Sequence, residues 1–241
     1  MTQRAPNIRS QDVRIPADHV ELAGFLALPE GAEAIVLFAH GSGSGRLSPR
    51  NQHVARVLQE AGLATLLFDL LSEEEAAVDE RTGHLRFDIG LLAGRLVAAT
   101  DWVRRQEFGS GLPIGYFGAS TGAAAALVAA ARRPGVTFAV VSRGGRPDLA
   151  RFALAQVRAP TLLIVGERDE RVIDMNREAM RYLRAETRLE IVPGATHLFE
   201  EPGALDVVAR LAADWFLFHL RQPPVEAPEE PERPAPRRAR G

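Results

Sequence analysis

Cysteine and lysine are both missing from the 241 residues. Without cysteine there is no disulfide framework, no thiolate metal site and no Cys nucleophile, and redox chemistry does not set a compartment. All 29 basic residues are therefore Arg. A Walker A lysine and a Schiff-base lysine are excluded, and with them most pyridoxal-phosphate chemistry. The Arg bias itself is what a GC-rich genome produces. Neither sign of charge is in excess, since the formal net charge is −2, so there is no electrostatic footprint for nucleic acid or an anionic membrane. No apolar run approaches a membrane span, and Met1-Thr2-Gln3-Arg4-Ala5-Pro6 lacks the apolar stretch of a secretory signal. The expectation is a cytoplasmic protein with no nucleic-acid and no membrane partner. No His-x-x-x-His or comparable cluster occurs, so no metal and no other cofactor is expected.

What is present is an ordinary globular composition, 46% hydrophobic and 25% charged, enough for one sizeable domain. Residues 1–10 are expected to be loose and 11–221 to form the domain. Residues 222–241, rich in Pro, Glu and Arg, hold too little apolar surface to offset their ordering entropy and are expected to be a disordered tail. Between these ends, strand and helix patterns alternate. Val20–Leu28 reads as a strand paired with Asp12–Pro16. Ala34–Ala39 and Leu63–Asp69 are short continuous apolar runs, the pattern of strands buried on both faces. Ser48-Pro49 opens a helix as N-cap and first helical residue, with Val54, Val57, Leu58 and Ala61 as its apolar stripe. A charged loop containing Glu73-Glu74-Glu75 then precedes a long helix from about Arg86 to Gln106. Strands at 113–117, 136–142, 161–165 and 189–192 alternate with helices at 123–132, 172–184 and 204–220. The pattern predicts an α/β fold: a mostly parallel sheet, an antiparallel amino-terminal edge and helices on both faces.

Ligands of such sheets bind at the carboxyl ends of the strands, so reactive residues are sought there. The strand ending at Phe117 runs into Gly118-Ala119-Ser120-Thr121-Gly122 and then an Ala-rich helix. This is Gly-x-Ser-x-Gly at a strand-to-helix turn, the setting of a nucleophile elbow. The turn is so tight that side chains two residues either side of Ser120 would collide with neighbouring backbone. The strand ending at Ala39 runs into His40-Gly41-Ser42-Gly43-Ser44-Gly45. Its spacing matches neither phosphate-loop pattern, and the N–H of Ser42, with that of Thr121, is assigned to an oxyanion hole. His40 reads as a structural residue of that loop.

Asp169 follows the strand ending at Val165, and His197 follows the strand ending at Val192. A serine hydroxyl needs a base to take its proton. An imidazole, titrating near neutral pH, can take that proton and later protonate a leaving group, and a carboxylate fixes its tautomer. The predicted catalytic residues are therefore Ser120, His197 and Asp169, with Glu167 and Glu170 as flanking acids not separated from Asp169. The order Ser…Asp…His is that of α/β-hydrolases.

These motifs, from about Val13 to Leu220, resemble the dienelactone-hydrolase-like branch of the α/β-hydrolases. The resemblance implies hydrolysis of small-molecule esters or lactones without a cofactor. Dienelactone hydrolases proper use a Cys nucleophile, and Ser120 in its place favours carboxylic esters over dienelactone. The chain also resembles the hydrolase segment that some bacterial proteins carry fused to a phosphoribosyltransferase domain, with no such domain among these residues. Larger members of the fold insert a cap where this chain has only residues 143–159, so no cap domain and an open pocket are expected. Arg143, just past a strand end, is a candidate to bind a substrate carboxylate, beside the alternative of an ion pair with a local acid such as Asp148. The leading expectation is a serine esterase. Acyl transfer or perhydrolysis from the same acyl-enzyme, and a non-catalytic binding module, are the alternatives. The sequence is compatible with a homodimer.

Overall fold

Two strands on either side of the Asp18-His19 turn begin the domain: β1 (Ile8–Ala17) pairs antiparallel with β2 (Val20–Pro29). Asp18 takes a positive φ of 55° there, which a short polar side chain tolerates. In the computed structural model, residues 7–222 are described; the tail from 223 onward, for which disorder is expected, lies outside them. β1 begins at Ile8, inside the stretch 1–10 expected to be loose, because its pairing extends to Ile8 opposite Pro29.

The remaining strands are β3 (Ile35–Ala39), β4 (Ala64–Phe68), β5 (Ile114–Ala119), β6 (Thr137–Arg143), β7 (Thr161–Gly166) and β8 (Thr187–Val192). They run in the order β1-β2-β4-β3-β5-β6-β7-β8. Pairings from β4 onward are parallel, and β2 meets β4 antiparallel. Every residue of β3, β4 and β5 is buried, as suits their largely apolar composition when both faces are covered.

Helices α1 (Pro49–Glu60) and α6 (Ala204–Leu220) cover one face, and α3 (Ile89–Arg105) and α4 (Thr121–Arg132) the other. α1 starts as expected: the Ser48 hydroxyl accepts the Asn51 N–H and Pro49 occupies the first turn. On the α6 face, a Cβ at Gly115 would lie 2.7 Å from the ring of Phe216, so the missing side chain is what lets that fully buried ring lie against the sheet. Truncating Phe216 to Ala would remove roughly 3–5 kcal/mol of transfer and packing free energy.

Two local expectations are corrected. The charged stretch after β4 is a helix, α2 (Glu73–Thr82), closed by a capping box: the Ser72 hydroxyl accepts the Glu75 N–H, and the Glu75 carboxylate accepts the Ser72 N–H. Three successive acids favour that end, where the helix dipole is positive. The long helix that follows starts at Ile89, three residues later than expected, because Asp88 caps it by accepting the Leu91 N–H. Helix α5 (Glu170–Met180) follows β7, and short helical turns over Pro147–Gln156 join β6 to β7 with no cap domain. Among the described residues, no helix is long and apolar enough to cross a membrane.

Candidate active site

Ser120 sits between β5 and α4 with φ 49° and ψ −119°, a conformation that costs a non-glycine residue on the order of 1–3 kcal/mol. The surroundings leave no alternative. A Cβ at Gly118 would stand 2.4 Å from the Ala123 Cα, and one at Gly122 would stand 2.1 Å from the Ala39 carbonyl oxygen. Both obstacles are backbone, so the elbow packs against its own helix and against the end of β3 only with glycine at both positions. The strained turn is held from outside by the Ser120 N–H to the Arg143 carbonyl (3.2 Å) and the Arg146 N–H to the Ser120 carbonyl (3.1 Å).

The loop after β3 lies against this turn. A Cβ at Gly41 would be 3.1 Å from that of Ser120. The His40 ring ties the loop to the end of β4. Its Nε2 accepts the Leu70 N–H at 3.0 Å, which leaves the ring proton on Nδ1 to be donated to the Gly41 carbonyl at 3.0 Å. Burial pushes the His40 pKa down, against that bond and the Asp69 charge. His40 is thus a neutral structural residue, as the sequence predicts. Ser42 and Thr121 line a single cavity of about 320 Å³ with Gly41, Gly43 and Ser44. The Thr121 N–H, at the first turn of α4, has no acceptor within its own helix.

A wall bounds the cavity on one side. The wall is α2 with its cap: Ser72, Glu73, Ala76, Asp79 and Glu80 line the cavity, as does Arg86. The Asp79 carboxylate is buried and accepts the N–H groups of Leu85 (2.7 Å) and Arg86 (3.1 Å) and the Arg86 Nε (2.6 Å). Burial opposes its charge, but the bonds from Arg86 and Leu85 outweigh it and hold the carboxyl below its ordinary range. The other end of α2 is pinned by Arg95, 2% exposed, which donates to Glu75 (2.6 Å) and to the Ala17 carbonyl of β1 (2.7 Å). The bonds of Asp79 and Arg95 that pin this wall have no sequence signature, because they join residues with no shared motif.

At the far end of the sheet, His197 Nδ1 lies 2.6 Å from the Asp169 Oδ2. Gly166 makes that meeting feasible: a Cβ there would stand 2.4 Å from the Ala195 carbonyl oxygen. The two loops are laced together by the Arg168 N–H to the Ala195 carbonyl (2.9 Å) and the Gly194 N–H to the Glu167 carboxylate (2.7 Å). Glu167 is thereby committed to holding the loop, and Glu170 opens α5 exposed to solvent. Of the three neighbouring acids, the structure brings Asp169 to the imidazole. His197 also packs against Gly144, where an added Cβ would lie 3.4 Å from its Cε1 and Nδ1. Gly144 directly follows Arg143, whose carbonyl takes the Ser120 N–H, so the residue that anchors the serine and the residue against the histidine are consecutive in the chain.

Arg143 is buried at 8% exposure, and its Nε and Nη1 have no hydrogen-bond partner. The alternative of an ion pair with Asp148 is corrected: Asp148 is held in a two-point fork by Arg146, at 2.9 and 2.8 Å. Burial, and secondarily the charge of Arg50, bring the Arg143 pKa down to about 10. Among the described residues, no group of three His, Asp or Glu side chains is placed to hold a metal ion.

Comparison with known proteins agrees with this architecture. The model of the dienelactone hydrolase family matches residues 22–216. A crystal structure of dienelactone hydrolase from Anabaena variabilis is 60% identical and superposes with a TM-score of 0.87, over 90% of this chain and all of that one. Est1E from Butyrivibrio proteoclasticus shares the fold at 17% identity, with a TM-score of 0.73 over 88% of this chain and 99% of that one. A Mycobacterium tuberculosis protein with the provisional name phosphoribosyl transferase is 56% identical over 218 residues, 90% of this chain and 48% of that protein. The chain thus spans about half the length of the curated relatives it matches.

Proposed function

The chain belongs to the dienelactone hydrolase family, and on that premise we propose that it is a serine hydrolase cleaving carboxylic esters or lactones through an acyl-enzyme on Ser120. The observation that carries the reading is the 2.6 Å contact of His197 Nδ1 with Asp169 at the ends of β7 and β8, with only β6 between them and β5, which carries the serine at a strained elbow. The carboxylate keeps the imidazole proton on Nδ1, so Nε2 is free to accept the Ser120 hydroxyl proton. The Oγ then bonds to the acyl carbon, and the oxygen that gains the electron pair is met by the N–H groups of Ser42 and Thr121. Collapse of that intermediate breaks the bond to the alcohol, which leaves with the proton from Nε2. Water, deprotonated by the same nitrogen, releases the acid. Acyl transfer or perhydrolysis would share every step but the last acceptor.

The transferase name of the mycobacterial relative we assign to the part of that protein outside the match, because the shared part is the dienelactone hydrolase segment. A fluorophosphonate should label Ser120 covalently, and Ser120→Ala should abolish both labelling and hydrolysis of a short acyl ester. Labelling that persists in the Ser120→Ala protein overturns the reading.

A further inference from the structure

Two residues just past β4 grip the loop that follows β3 at both of its ends. The Leu70 N–H donates to His40 at the near end. At the far end the Asp69 carboxylate accepts the Arg46 backbone N–H (2.7 Å) and a bond from the Arg46 guanidinium. Asp69 is itself tied to the sheet, its N–H donating to the Ala23 carbonyl of β2 at 3.0 Å. Arg46 lies over the Phe25 ring of the same strand, 5.4 Å from its centroid. The third glycine of the loop belongs to this clasp: a Cβ at Gly45 would stand 2.7 Å from the Asp69 Oδ1. Between the two grips the chain makes one tight turn. The Ser44 N–H donates to the Gly41 carbonyl at 3.2 Å, and Gly43 takes a φ of 69°, the sign that a glycine corner supplies. Ser42 is the other corner, so its N–H stays outside the turn's own bond.

Asp69 also lines the cavity, together with Ser42 and Thr121. A carboxylate there has two opposed effects on an anion forming at those N–H groups. As an acceptor it fixes the loop that carries one donor, and a donor fixed in advance costs no reorganisation when the charge develops. As a charge it repels that anion, more strongly than it would in open water. The reach of the charge along the loop is seen at His40, where it acts to raise the imidazole pKa. Arg46 resolves the conflict. Its guanidinium pairs with the carboxylate, which keeps the bond to the loop and cancels most of the charge. The two side chains are 27% and 25% exposed, so solvent screens the pair only in part.

We propose that Asp69 and Arg46 act as one positioning device for the oxyanion: the carboxylate sets the Ser42 N–H, and the guanidinium removes the carboxylate's repulsion. This rests on Ser120, Ser42 and Thr121 acting as described above. Both residues work through the loop and through charge, without bonding the reacting atoms. Their contribution belongs to the step in which the Ser120 Oγ bonds to the acyl carbon. There the carbonyl electron pair moves onto oxygen and the hydroxyl proton passes to His197 Nε2. Ground-state binding, in which the carbonyl is neutral, should be nearly indifferent to the pair.

The test uses Asp69→Ala, Arg46→Gln and the double variant Arg46→Gln/Asp69→Asn, with a short acyl ester and two ketones. Benzyl trifluoromethyl ketone accepts the Ser120 Oγ at its carbonyl carbon and becomes an anionic hemiketal, whereas benzyl methyl ketone binds as a neutral carbonyl. Arg46→Gln leaves the carboxylate charge beside the oxyanion and should lower kcat about tenfold or more with KM nearly kept. Affinity for the trifluoromethyl ketone should fall by the same factor, and affinity for the methyl ketone should not move. Asp69→Ala should show the same split, by freeing the loop. The double variant, with the charge gone and an amide oxygen as acceptor, should recover most of what Arg46→Gln loses. Single variants with unchanged kcat, a loss shared equally by the two ketones, or a double variant no better than Arg46→Gln overturns the proposal. Should Asp69→Ala fail to fold, Arg46→Gln and the double variant decide, because the recovery is read between two proteins that both lack the guanidinium. Fluorophosphonate labelling of the wild type is read in parallel. Absent labelling counts against the triad, whereas intact labelling with none of these effects counts against Asp69 and Arg46 alone.

Discussion

The elbow at Ser120 and the segment joining β4 to α3 both follow a buried strand and both lend residues to the same cavity, the elbow through Thr121, yet they are held in opposite ways. The elbow is fixed by backbone excluding backbone, with Gly118 and Gly122 each within about 2.4 Å of main-chain atoms as soon as a Cβ is imagined. The α2 segment is fixed by side chains negotiating with one another: the Ser72–Glu75 capping box, the Asp79–Arg86 clasp and Arg95 under Glu75. The first arrangement has no graded version, since a methyl group either fits or does not. The second can be loosened one bond at a time. The proposed nucleophile, which needs sub-ångström placement, sits on the first kind of support, and the cavity wall sits on the second.

The largest effect expected concerns the acids that both supports leave to choose among. Asp169→Asn should fold and lose about 10⁴-fold in turnover, because an amide favours the wrong imidazole tautomer. Glu167→Gln, which only weakens the bond to the Gly194 N–H, should lose under about tenfold. Kinetics of both variants on one ester would reverse the assignment if Glu167→Gln were the worse.

The next sets one glycine against another. Gly122→Ala drives a methyl into the carbonyls of Ala39 and His40 and should destabilise by about 3 kcal/mol, with loss of activity. Gly83→Ala, at the left-handed end of α2 with nothing within 4 Å, should cost about 1 kcal/mol of conformational strain. Urea titration of the two proteins measures the contrast, and equal costs would erase the distinction drawn above.

Ser72→Ala removes the cap of α2 and should cost about 1 kcal/mol. Its signature should be a raised KM with kcat nearly kept, since the wall loosens while the elbow does not. A fall confined to kcat would contradict this.

The smallest effect is on pH. His40 is held neutral, with its folded pKa below the ordinary imidazole value. Below about pH 6.5 the unfolded chain takes up a proton that the folded chain refuses, so this contribution to stability is present above that pH and lost as pH falls through it. The melting temperature should drop between pH 7 and 5, and the slope should shrink in His40→Gln. A slope unchanged in that variant would place the effect elsewhere, His219 being the other buried imidazole with a lowered value.

The same division explains what could be read beforehand. Gly-x-Ser-x-Gly, the glycine loop after β3 and the positions of Asp169 and His197 just past strand ends are all local patterns, and the structure places each where the pattern puts it. The role of His40 was legible for the same reason, being one residue from the loop it braces. The wall was not. Glu75 and Arg95 lie on different helices, and Asp79 and Arg86 are joined across a chain reversal, so their partnership exists only once the chain has folded. Three consecutive glutamates read as a charged loop, although Ser72 before them and Glu75 three residues on form the local pattern of a capping box. Glu167 and Asp169 could not be ranked from spacing, because the difference between them is which backbone N–H or imidazole each one meets.

Arg95 draws together two parts of the molecule that otherwise share nothing. One guanidinium holds the carbonyl at the end of the first strand and the carboxylate at the start of the cavity wall. Fraying of that edge strand would thus be transmitted as slack in the wall. On warming, such a protein should lose the shape of its cavity before it loses the elbow, so that affinity for whatever the cavity holds, and not turnover, is the first casualty of partial unfolding.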